Sequence, residues 1–410
     1  MQDPQEPVKE PIQTAPTVTA RLAIRIVALL FLVAHLALAA EQWADFHSSR
    51  MLGSDHLIYT LAVQRAWSGS DPYLPHHIGW GYLYPPPSLL LLRATEWLSP
   101  AAVTARSVWI AASILAVLLA VLLCRRSDDS RPLYTAALLL TSAGVIESTR
   151  CGQINGFVVL LVVGFSSLWH GGRRGLAAGV LATATCLKTT PLLLTVMFLR
   201  RRDWKWIGVF VGIVVLWCGL AAWLIPAAHV NRSFLESLRW SAQQYFYWGW
   251  NYSLSVSVPV LLHEWGKIDV TFVTFHWTKL MFLALLLVAA WAVFIATDSS
   301  TAAGDMLFVV SNVCMVLAPN LVWLAHAALL IPAYWFFLAR SRDVGLMVLA
   351  ALSLLAFQLV RPLQTAALIS PAAPTAVAQL LLLAACIRLV LLTLRRRDGA
   401  GLGRRAQRLA

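Results

Sequence analysis

Four ionisable side chains stand in or beside apolar stretches of the sequence, where charges are rare. They are Glu147, Arg150, Lys188 and His326, and the amides Gln153 and Asn155 lie close to the first two. A charged side chain at the centre of a bilayer costs at least about 2.5–3.5 kcal/mol on insertion scales. Such groups are retained where they pair with one another or face a water-filled cavity. The set therefore predicts a shared polar cavity at the membrane.

Each of these residues also has a simpler interpretation. Glu147 and Arg150 are close enough along a helix to form a local ion pair. Lys188 could extend its ammonium group to the membrane surface, and His326 could form a hydrogen bond with a neighbouring helix. The sequence alone leaves these alternatives open.

A further acid, Asp55, lies in a long segment that is rich in polar and aromatic residues. Apolar residues repeat with helical spacing over 55–67, which predicts a helix in the membrane interface with Asp55 at its positive N-terminal end. Asp55 could also be no more than the N-cap, because aspartate is favoured there. The three prolines at 85–87 cannot lie inside a helix and predict a rigid turn before a new apolar segment at 88–98.

Composition defines the class of protein that carries these residues. Of the 410 residues, 59% are hydrophobic and only 12% are charged. A soluble domain carries about 25% charged residues, so an ordinary cytosolic enzyme is excluded. The apolar content is also far too high for a disordered chain. The sequence therefore predicts an all-α polytopic membrane protein.

About twelve membrane crossings are expected, because a helix needs about 20 apolar residues to cross the hydrocarbon core. The segment 176–199 is expected to form two short helices around Lys188 and Pro191. The other expected spans are the long runs 22–40, 107–123, 206–225, 273–296, 321–338 and 374–394, and the shorter runs 132–146, 154–169, 306–318 and 344–360.

The positive charges indicate the orientation of these spans. With twelve crossings, 20 of the 32 Lys and Arg residues lie on one side together with both termini, 11 lie on the other side, and Arg388 lies in the last span. The positive-inside rule predicts that both termini are cytoplasmic. The net charge of +13 is thus an orientation signal and does not indicate nucleic acid binding. Residues 22–40 could be a signal peptide, but the run is long and Ala39-Ala40 is a weak cleavage site.

The predicted organisation is one transmembrane domain at 21–394, between a disordered cytoplasmic tail at 1–20 and a basic cytoplasmic tail at 395–410 that meets membrane lipid. Two external segments, 41–100 and 226–272, are long enough to carry function. The aromatic residues of the second segment suit an interfacial belt and equally a platform for a sugar or an acceptor. The six scattered cysteines form no CxxC pair and are expected to be buried hydrophobes.

The order of five short motifs resembles glycosyltransferase family 87, in the GT-C superfamily of polytopic glycosyltransferases. The resemblance covers about residues 20–340. The motifs are Asp55 with Tyr59, followed by Gly69 and Pro72-Tyr73; Tyr84-Pro85-Pro86; Gly152-Gln153-Ile154-Asn155; Lys188-Thr189-Thr190-Pro191; and Asn251-Tyr252-Ser253-Leu254 with Pro319 and His326. The resemblance implies a GT-C type fold of about 12 transmembrane helices, with interfacial helices in the first external loop.

The resemblance also implies a reaction. The family includes polyprenyl-phosphate-mannose-dependent mannosyltransferases of actinobacteria. The chain is therefore expected to move a sugar, with mannose as the first candidate, from a polyprenyl-phosphate donor to a lipid-linked or cell-envelope glycan. The expected place is the external face of a bacterial cell membrane. The transfer is expected to invert the anomeric carbon and to require no metal or other cofactor, since the leaving group is a lipid phosphate and no DxD motif marks a nucleotide-sugar site.

The catalytic base is assigned from the same resemblance, whereas Lys188, Arg150 and His326 are assigned to the donor because its leaving phosphate gains negative charge. The family's catalytic base is an aspartate of the first external loop, which implies Asp55. Asp45 competes for this role, whereas Asp71 lies in a Ser-Asp-Pro-Tyr turn and is expected to be structural. The donor is expected to contact Lys188, His326, Arg150, Gln153, Asn155, Tyr59 and Tyr84, and the acceptor is expected to contact Asn251, Trp248 and Trp250.

Other functions stay open on the sequence alone. An arabinosyltransferase or another hexosyltransferase would carry the same motifs. A polytopic transporter or lipid flippase would also combine many spans with buried charges, although the unequal loops and the lack of an internal repeat weigh against it. A non-catalytic partner in a cell-envelope complex would have no cavity joining Asp55 to His326.

Overall fold

The computed structural model describes residues 18–48, 52–74, 81–98, 102–125, 129, 131–199, 203–244, 251–268, 271–296, 301–319, 322–365 and 372–409. Within these ranges every regular element is a helix, which confirms the all-α prediction. The first helix begins at Val18, inside the segment 1–20 that was expected to be disordered, and residues 1–17 lie outside the described residues.

Sixteen α-helices are described, together with two 3-10 helices and one π-helical turn. The first eight are α1 (Val18–Ser48), α2 (Ser54–Trp67), α3 (Pro86–Leu98), α4 (Ala102–Cys124), α5 (Pro132–Leu140), α6 (Ala143–Cys151), α7 (Asn155–His170) and α8 (Arg174–Leu187). The first 3-10 helix, Thr190–Phe198, is followed by α9 (Trp204–Leu224), α10 (Val230–Gln244), α11 (Leu254–Gly266), α12 (Phe272–Ala296) and α13 (Thr301–Leu317). The second 3-10 helix, Leu324–Leu330, leads into α14 (Ile331–Trp335), the π turn Phe336–Arg340, α15 (Val344–Thr365) and α16 (Ala372–Leu409).

Six helices of the described part are long and apolar enough to cross a membrane. They contain the segments Ile26–Ala44, Arg106–Cys124, Trp204–Leu224, Thr274–Ala296, Val344–Gln364 and Ala372–Arg396. Four shorter apolar segments accompany them, at Asn155–His170, Arg174–Leu187, Thr301–Leu317 and Leu324–Arg340. The chain is a polytopic membrane protein by these criteria, and the count of twelve crossings stays a prediction.

One expected span is broken in the structure. The run 132–146 forms two helices, α5 and α6, because the chain turns out of helical geometry at Ser142. A break inside apolar surroundings is tolerated only where other groups satisfy the freed backbone. Gln358 of α15 does this, since its side-chain oxygen accepts the N–H of Ala143 at 2.7 Å and its amide nitrogen donates to the carbonyl of Thr141 at 3.3 Å.

The expectation for 176–199 is confirmed. Helix α8 ends at Leu187, Lys188 is extended, and Pro191 lies in the first turn of the following 3-10 helix. Proline is suited to that place because its fixed φ matches a helical turn and its missing N–H has no partner to lose there. The chain thus reverses around Lys188 and exposes the residues after it at one end of the helices.

The segment around Asp55 also forms the expected helix, α2, but Asp55 is not its N-cap. That position belongs to Gly53, whose φ of 69° is left-handed, and Asp55 falls in the first turn with its side chain free of a capping role. The N-cap interpretation of Asp55 is therefore wrong. The basic segment 395–410 differs from a simple tail as well, because α16 continues to Leu409.

Helix α6 and the second 3-10 helix approach each other closely at Gly144. A Cβ atom at this position would lie 2.6 Å from the backbone nitrogen of Ala328 and 2.7 Å from the carbonyl carbon of Ala327. Only a residue without a Cβ lets these two backbones meet. The contact matters because the 3-10 helix carries His326 and α6 leads directly to Gln153.

Replacing Gly144 with alanine is expected to lower the thermal unfolding temperature of the purified protein. The added methyl group must push two backbones apart, and overpacking of this kind costs typically about 1–3 kcal/mol. Gly212→Ala is the matched control, because a Cβ on this α9 glycine meets no atom within 4 Å. An unfolding temperature for Gly144→Ala equal to that of Gly212→Ala would contradict the close approach.

Candidate functional site

A cavity of about 230 Å³ opens at the end of the helices where α2 begins and α8 ends. Its wall contains five of the residues that the sequence singled out, Asp55, Tyr59, Tyr84, Lys188 and His326. These residues come from four separate parts of the chain and are up to 271 positions apart, from Asp55 to His326 (326 − 55). Of the four ionisable residues expected to share a polar cavity, Lys188 and His326 line this one, whereas Glu147 and Arg150 do not.

Asp55 is almost wholly buried, with 3% of its surface exposed, yet it lines this cavity. Its place is set by the chain before it, since the backbone N–H of Gly53 donates to the carbonyl of Arg150 at 2.8 Å. Burial raises the pKa of the Asp55 carboxyl to about 7, while a hydrogen bond from Gln153 and the charge of Lys188 act in the opposite direction. A carboxyl with this pKa is suited to take up a proton near neutral pH.

Gln153 and Asn155 connect Asp55 to Lys188 behind the cavity wall. The Asn155 amide nitrogen donates to the Gln153 side-chain oxygen at 2.5 Å and to the carbonyl of Ala325 at 3.0 Å. The Lys188 ammonium in turn donates to the Asn155 side-chain oxygen at 2.6 Å. The two amides thus form a buried polar chain that runs from the carboxyl to the ammonium group.

Lys188 does not reach the membrane surface, so the snorkelling interpretation is wrong. Only 6% of its surface is exposed, and its Nζ lies 5.6 Å from the centre of the Tyr84 ring. A cation over an aromatic face is attracted by the ring electrons. Asn155 and Tyr84 therefore hold the ammonium group in place at the cavity, where it can meet an anion.

His326 presents one particular nitrogen to the cavity. Its Nδ1 accepts the backbone N–H of Trp323 at 2.7 Å, so a neutral ring carries its hydrogen on Nε2. This tautomer is inferred from the hydrogen bond. The bond is made within its own loop, and not to the neighbouring helix that the sequence suggested as an alternative. Nε2 is then a donor available to a ligand.

Two tyrosines complete the wall between Asp55 and Lys188. The Tyr59 hydroxyl donates to the Tyr84 hydroxyl at 2.9 Å and accepts the backbone N–H of Ile154 at 3.3 Å. The ring planes of Tyr59 and Tyr84 are nearly perpendicular, with centroids 5.2 Å apart. Because Ile154 lies between Gln153 and Asn155, the same contacts fix the amide chain against α2.

Gly152 makes this arrangement sterically possible. Its φ of 67° is left-handed, a conformation that glycine adopts without strain. It ends α6 so that the next residue turns towards Asp55, and a Cβ there would lie 3.3 Å from the Cβ of His56. Gly152 is therefore required for the left-handed backbone conformation, and not for contact with a ligand.

Arg150 is held by a neighbouring acid. Its guanidinium is buried and pairs with Glu147 at 2.7 Å, and Arg361 of α15 also donates to Glu147. Arg150 does not line the cavity, whereas its carbonyl holds Gly53. The local ion pair considered from the sequence is thus present, and donor binding by Arg150 stays a prediction.

Asn251 also supports the site from behind. Its side-chain oxygen accepts the backbone N–H groups of Ser253 at 3.0 Å and Val322 at 3.2 Å, so it links the start of α11 to the loop before His326. It does not line the cavity. The other two residues expected to bind the acceptor, Trp248 and Trp250, lie outside the described residues, as does the side chain of Asp45.

Several lining residues were missed by the sequence analysis as site residues. They are Thr189 and Thr190 after the lysine, Trp323 before the histidine, and Leu238 and Ser241 of α10. Trp323 and the threonines lie beside residues that were singled out, so proximity could have indicated them. Leu238 and Ser241 share one face of an amphipathic helix, which was the available signal for α10.

Among the described residues, no group of three or more His, Cys, Asp or Glu side chains is placed to hold a metal ion. The charges of the cavity come from Asp55 and Lys188, and its neutral donors come from histidine, tyrosine and threonine. An anionic group with several acceptor oxygens fits this donor set.

A family comparison matches the central part of the chain, whereas the motif at 55–73 and His326 lie outside the matched residues. The model of glycosyltransferase family 87 matches residues 82–319, which is more than half of the chain. The resemblance inferred from the short motifs is thereby confirmed. No curated protein matches the chain.

Asn155→Ala is expected to lower the thermal unfolding temperature, because it removes the acceptor of a buried ammonium group. A hydrogen bond to a charged group contributes about 1.5–3 kcal/mol, and a buried partner left alone costs more than the bond itself. Adding Lys188→Met to this variant should restore part of the loss, since the uncompensated charge is then gone. If the double variant loses as much unfolding temperature as Asn155→Ala and Lys188→Met together, the two side chains do not interact.

Proposed function

The chain belongs to glycosyltransferase family 87, and we propose on this basis that it transfers a sugar from a polyprenyl-phosphate donor. The acceptor is a lipid-linked or cell-envelope glycan, and the first candidate for the sugar is mannose. The cavity opens on the external face of a bacterial cell membrane in this proposal, with both termini in the cytoplasm. The observation that carries the proposal is that one cavity joins a buried carboxyl to a buried ammonium group.

The transfer step uses the two ends of the buried polar chain. The Asp55 carboxylate takes the proton of an acceptor hydroxyl, whose oxygen forms a bond to the anomeric carbon. The bond from that carbon to the phosphate oxygen breaks, and its electron pair leaves with polyprenyl phosphate. Because attack and departure are on opposite sides of the carbon, the anomeric configuration inverts. One proton is transferred, one bond forms and one bond breaks.

Negative charge grows on the phosphate as it leaves, and this is where Lys188 and His326 act. Donors fixed in advance at the place where charge develops lower the barrier most, because they do not reorganise during the reaction. The Lys188 ammonium is held by Asn155, and the His326 Nε2–H is directed by the bond to Nδ1. These two donors supply the stabilisation in the proposed reaction, which proceeds without a metal ion.

The lipid nature of the donor is consistent with the surroundings of the site. The cavity lies among apolar helices, and Leu192, two residues after Thr190, is half-exposed beside it. A sugar on a polyprenyl chain reaches such a site from the bilayer. Arabinose or another hexose would use the same base and the same phosphate donors, so the identity of the sugar is the part of the proposal that rests on the family resemblance alone.

Asp55→Asn is expected to reduce sugar transfer by at least about 100-fold, because a general base contributes typically 10²–10⁴-fold to a rate. The variant should fold normally, since asparagine keeps the size of the side chain and relieves a buried charge. The measurement is transfer of radiolabelled sugar from polyprenyl-phosphate mannose, with the unfolding temperature recorded in parallel.

Asp71→Asn serves as the matched control for this variant. Asp71 lies in the same external segment, and its carboxylate accepts the backbone N–H of Tyr73 at 2.9 Å, a bond that asparagine can also make. Transfer by Asp71→Asn should equal that of the unaltered protein. Full transfer by Asp55→Asn, with transfer lost in Asp45→Asn, would move the base to the competing aspartate and overturn the assignment.

The pH profile provides an independent measure of the base. The pKa of Asp55 is raised to about 7, so the carboxyl is protonated and inactive below that pH. The value of kcat/KM should rise about tenfold per pH unit up to about pH 7, since this quantity reports groups of the free enzyme. It should fall again at higher pH, because burial lowers the pKa of the Lys188 ammonium group to about 7. Asp71→Asn should show the same rise of kcat/KM with pH as the unaltered protein. The interval from pH 5 to pH 8 extends from about two units below this pKa of Asp55 to about one unit above it. A kcat/KM that does not change over this interval would contradict the role of Asp55.

A further inference from the structure

A second cavity, of about 250 Å³, lies at the opposite end of α7 from Asn155. Four apolar segments end or begin around it: Arg106–Cys124 ends beside it, Asn155–His170 ends in it, Thr301–Leu317 begins at it, and Leu324–Arg340 ends in it. The ends of helices that cross a membrane lie at the level of the lipid headgroups. The cavity therefore faces the boundary between hydrocarbon and water on the side of the membrane away from the proposed catalytic site.

The only acid lining this cavity, among the described residues, already has two partners. Asp305 forms an ion pair with Arg340 at 2.8 Å, and its other oxygen lies 3.0 Å from the Nε2 of His170. Asp129 lies behind the wall, where it accepts the indole N–H of Trp335 at 2.9 Å and is 3.9 Å from the Nε of Arg340. The carboxylates thus orient Arg340 and His170.

The remaining polar groups of the lining are donors. Arg125 follows the last residue of α4 and is exposed, and the hydroxyls of Ser166 and Ser167 lie one turn before His170. Arg340 is balanced by Asp305 and Asp129, whereas the lining holds no carboxylate besides Asp305 for Arg125, among the described residues. The rest of the wall is apolar and includes Leu123, Val163, Phe308, Val309 and Pro332. A ligand that fits such a lining has an anionic head with acceptor oxygens joined to an apolar chain.

We propose that this cavity binds the phosphate headgroup of an anionic membrane lipid. Basic pockets between transmembrane helices on the cytoplasmic side are suited to such headgroups, because the anionic lipids of that leaflet supply the ligand at high local concentration. Arg125 and Arg340 contact the phosphate oxygens, the serine hydroxyls donate to the headgroup, and the apolar wall accepts the first carbons of the acyl chains. The proposal does not depend on the transferred sugar.

Cys124 gives this proposal a local readout. Its side chain lines the cavity and is partly exposed, whereas Cys151, Cys186, Cys314 and Cys386 are buried. Cys218 is also partly exposed, but it lies in α9 and does not line this cavity, so it is an internal control. The full chain, purified in detergent and freed of lipid, is treated with a small maleimide, and alkylation of each cysteine is followed by mass spectrometry of peptides.

Phosphatidylglycerol is expected to slow alkylation of Cys124 and to leave Cys218 unchanged, whereas phosphatidylcholine at the same concentration has little effect on either. Arg125→Ala should raise the phosphatidylglycerol concentration for half-protection about fivefold, because one basic group near anionic lipid contributes about that factor. Arg342→Ala is the matched control, since Arg342 is exposed near the same helix ends but does not line the cavity. In Arg342→Ala, half-protection of Cys124 should need the same phosphatidylglycerol concentration as in the unaltered chain.

Four results would overturn the proposal. Equal protection by phosphatidylcholine would show that the headgroup charge is not recognised. Equal protection by inorganic phosphate, at the same concentration as the lipid, would show that the site takes free phosphate and not a lipid. The same phosphatidylglycerol concentration for half-protection in Arg125→Ala and Arg342→Ala would show that the charges of the cavity only form ion pairs with one another. Polyprenyl phosphate is tested in parallel, and protection only by that lipid would also overturn a site for general anionic lipid.

Discussion

The arrangement of the site depends on the free-energy cost of removing one carboxyl group and one amino group from water. Asp55 and Lys188 are buried side chains at the end of apolar helices, and such charges persist only when each has polar partners. Gln153 and Asn155 provide those partners, and they do so as neighbours on one turn that leads from α6 into α7. The position of that turn therefore sets the position of both charges.

The surrounding irregularities of the backbone serve this polar chain. The break between α5 and α6, the left-handed Gly152 and the extended Lys188 each interrupt a helix that the apolar sequence would otherwise continue. Gln358 satisfies the groups freed at the first break, and Gly144 lets α6 reach the helix that carries His326. The helices give the rigid frame, and the breaks bring polar residues from different helices to one cavity.

Particular residues show how far the sequence could predict this arrangement. The helix that carries Asp55 and the two short helices around Lys188 follow from apolar spacing and proline placement, which are local. The partners of Lys188 and Arg150 are not local: a lysine can reach the surface or stay at a cavity, and only the position of Asn155, 33 residues away, decides. Asn251 was expected to contact the acceptor, but its side-chain oxygen accepts two backbone N–H groups. Thr190, Trp323 and Ser241 were missed because proximity to Lys188 or His326 and the amphipathic face of α10 do not show which side chains the fold brings to the same cavity.

The most direct test of the proposed reaction is an experimental structure of the Asp55→Asn protein with polyprenyl-phosphate mannose bound. The proposal predicts phosphate oxygens at hydrogen-bond distance, about 2.6–3.2 Å, from the Lys188 Nζ and the His326 Nε2. It also predicts that the anomeric carbon faces residue 55 from the side opposite the phosphate. A donor bound elsewhere, or a phosphate placed beside residue 55 and away from Lys188, would contradict it.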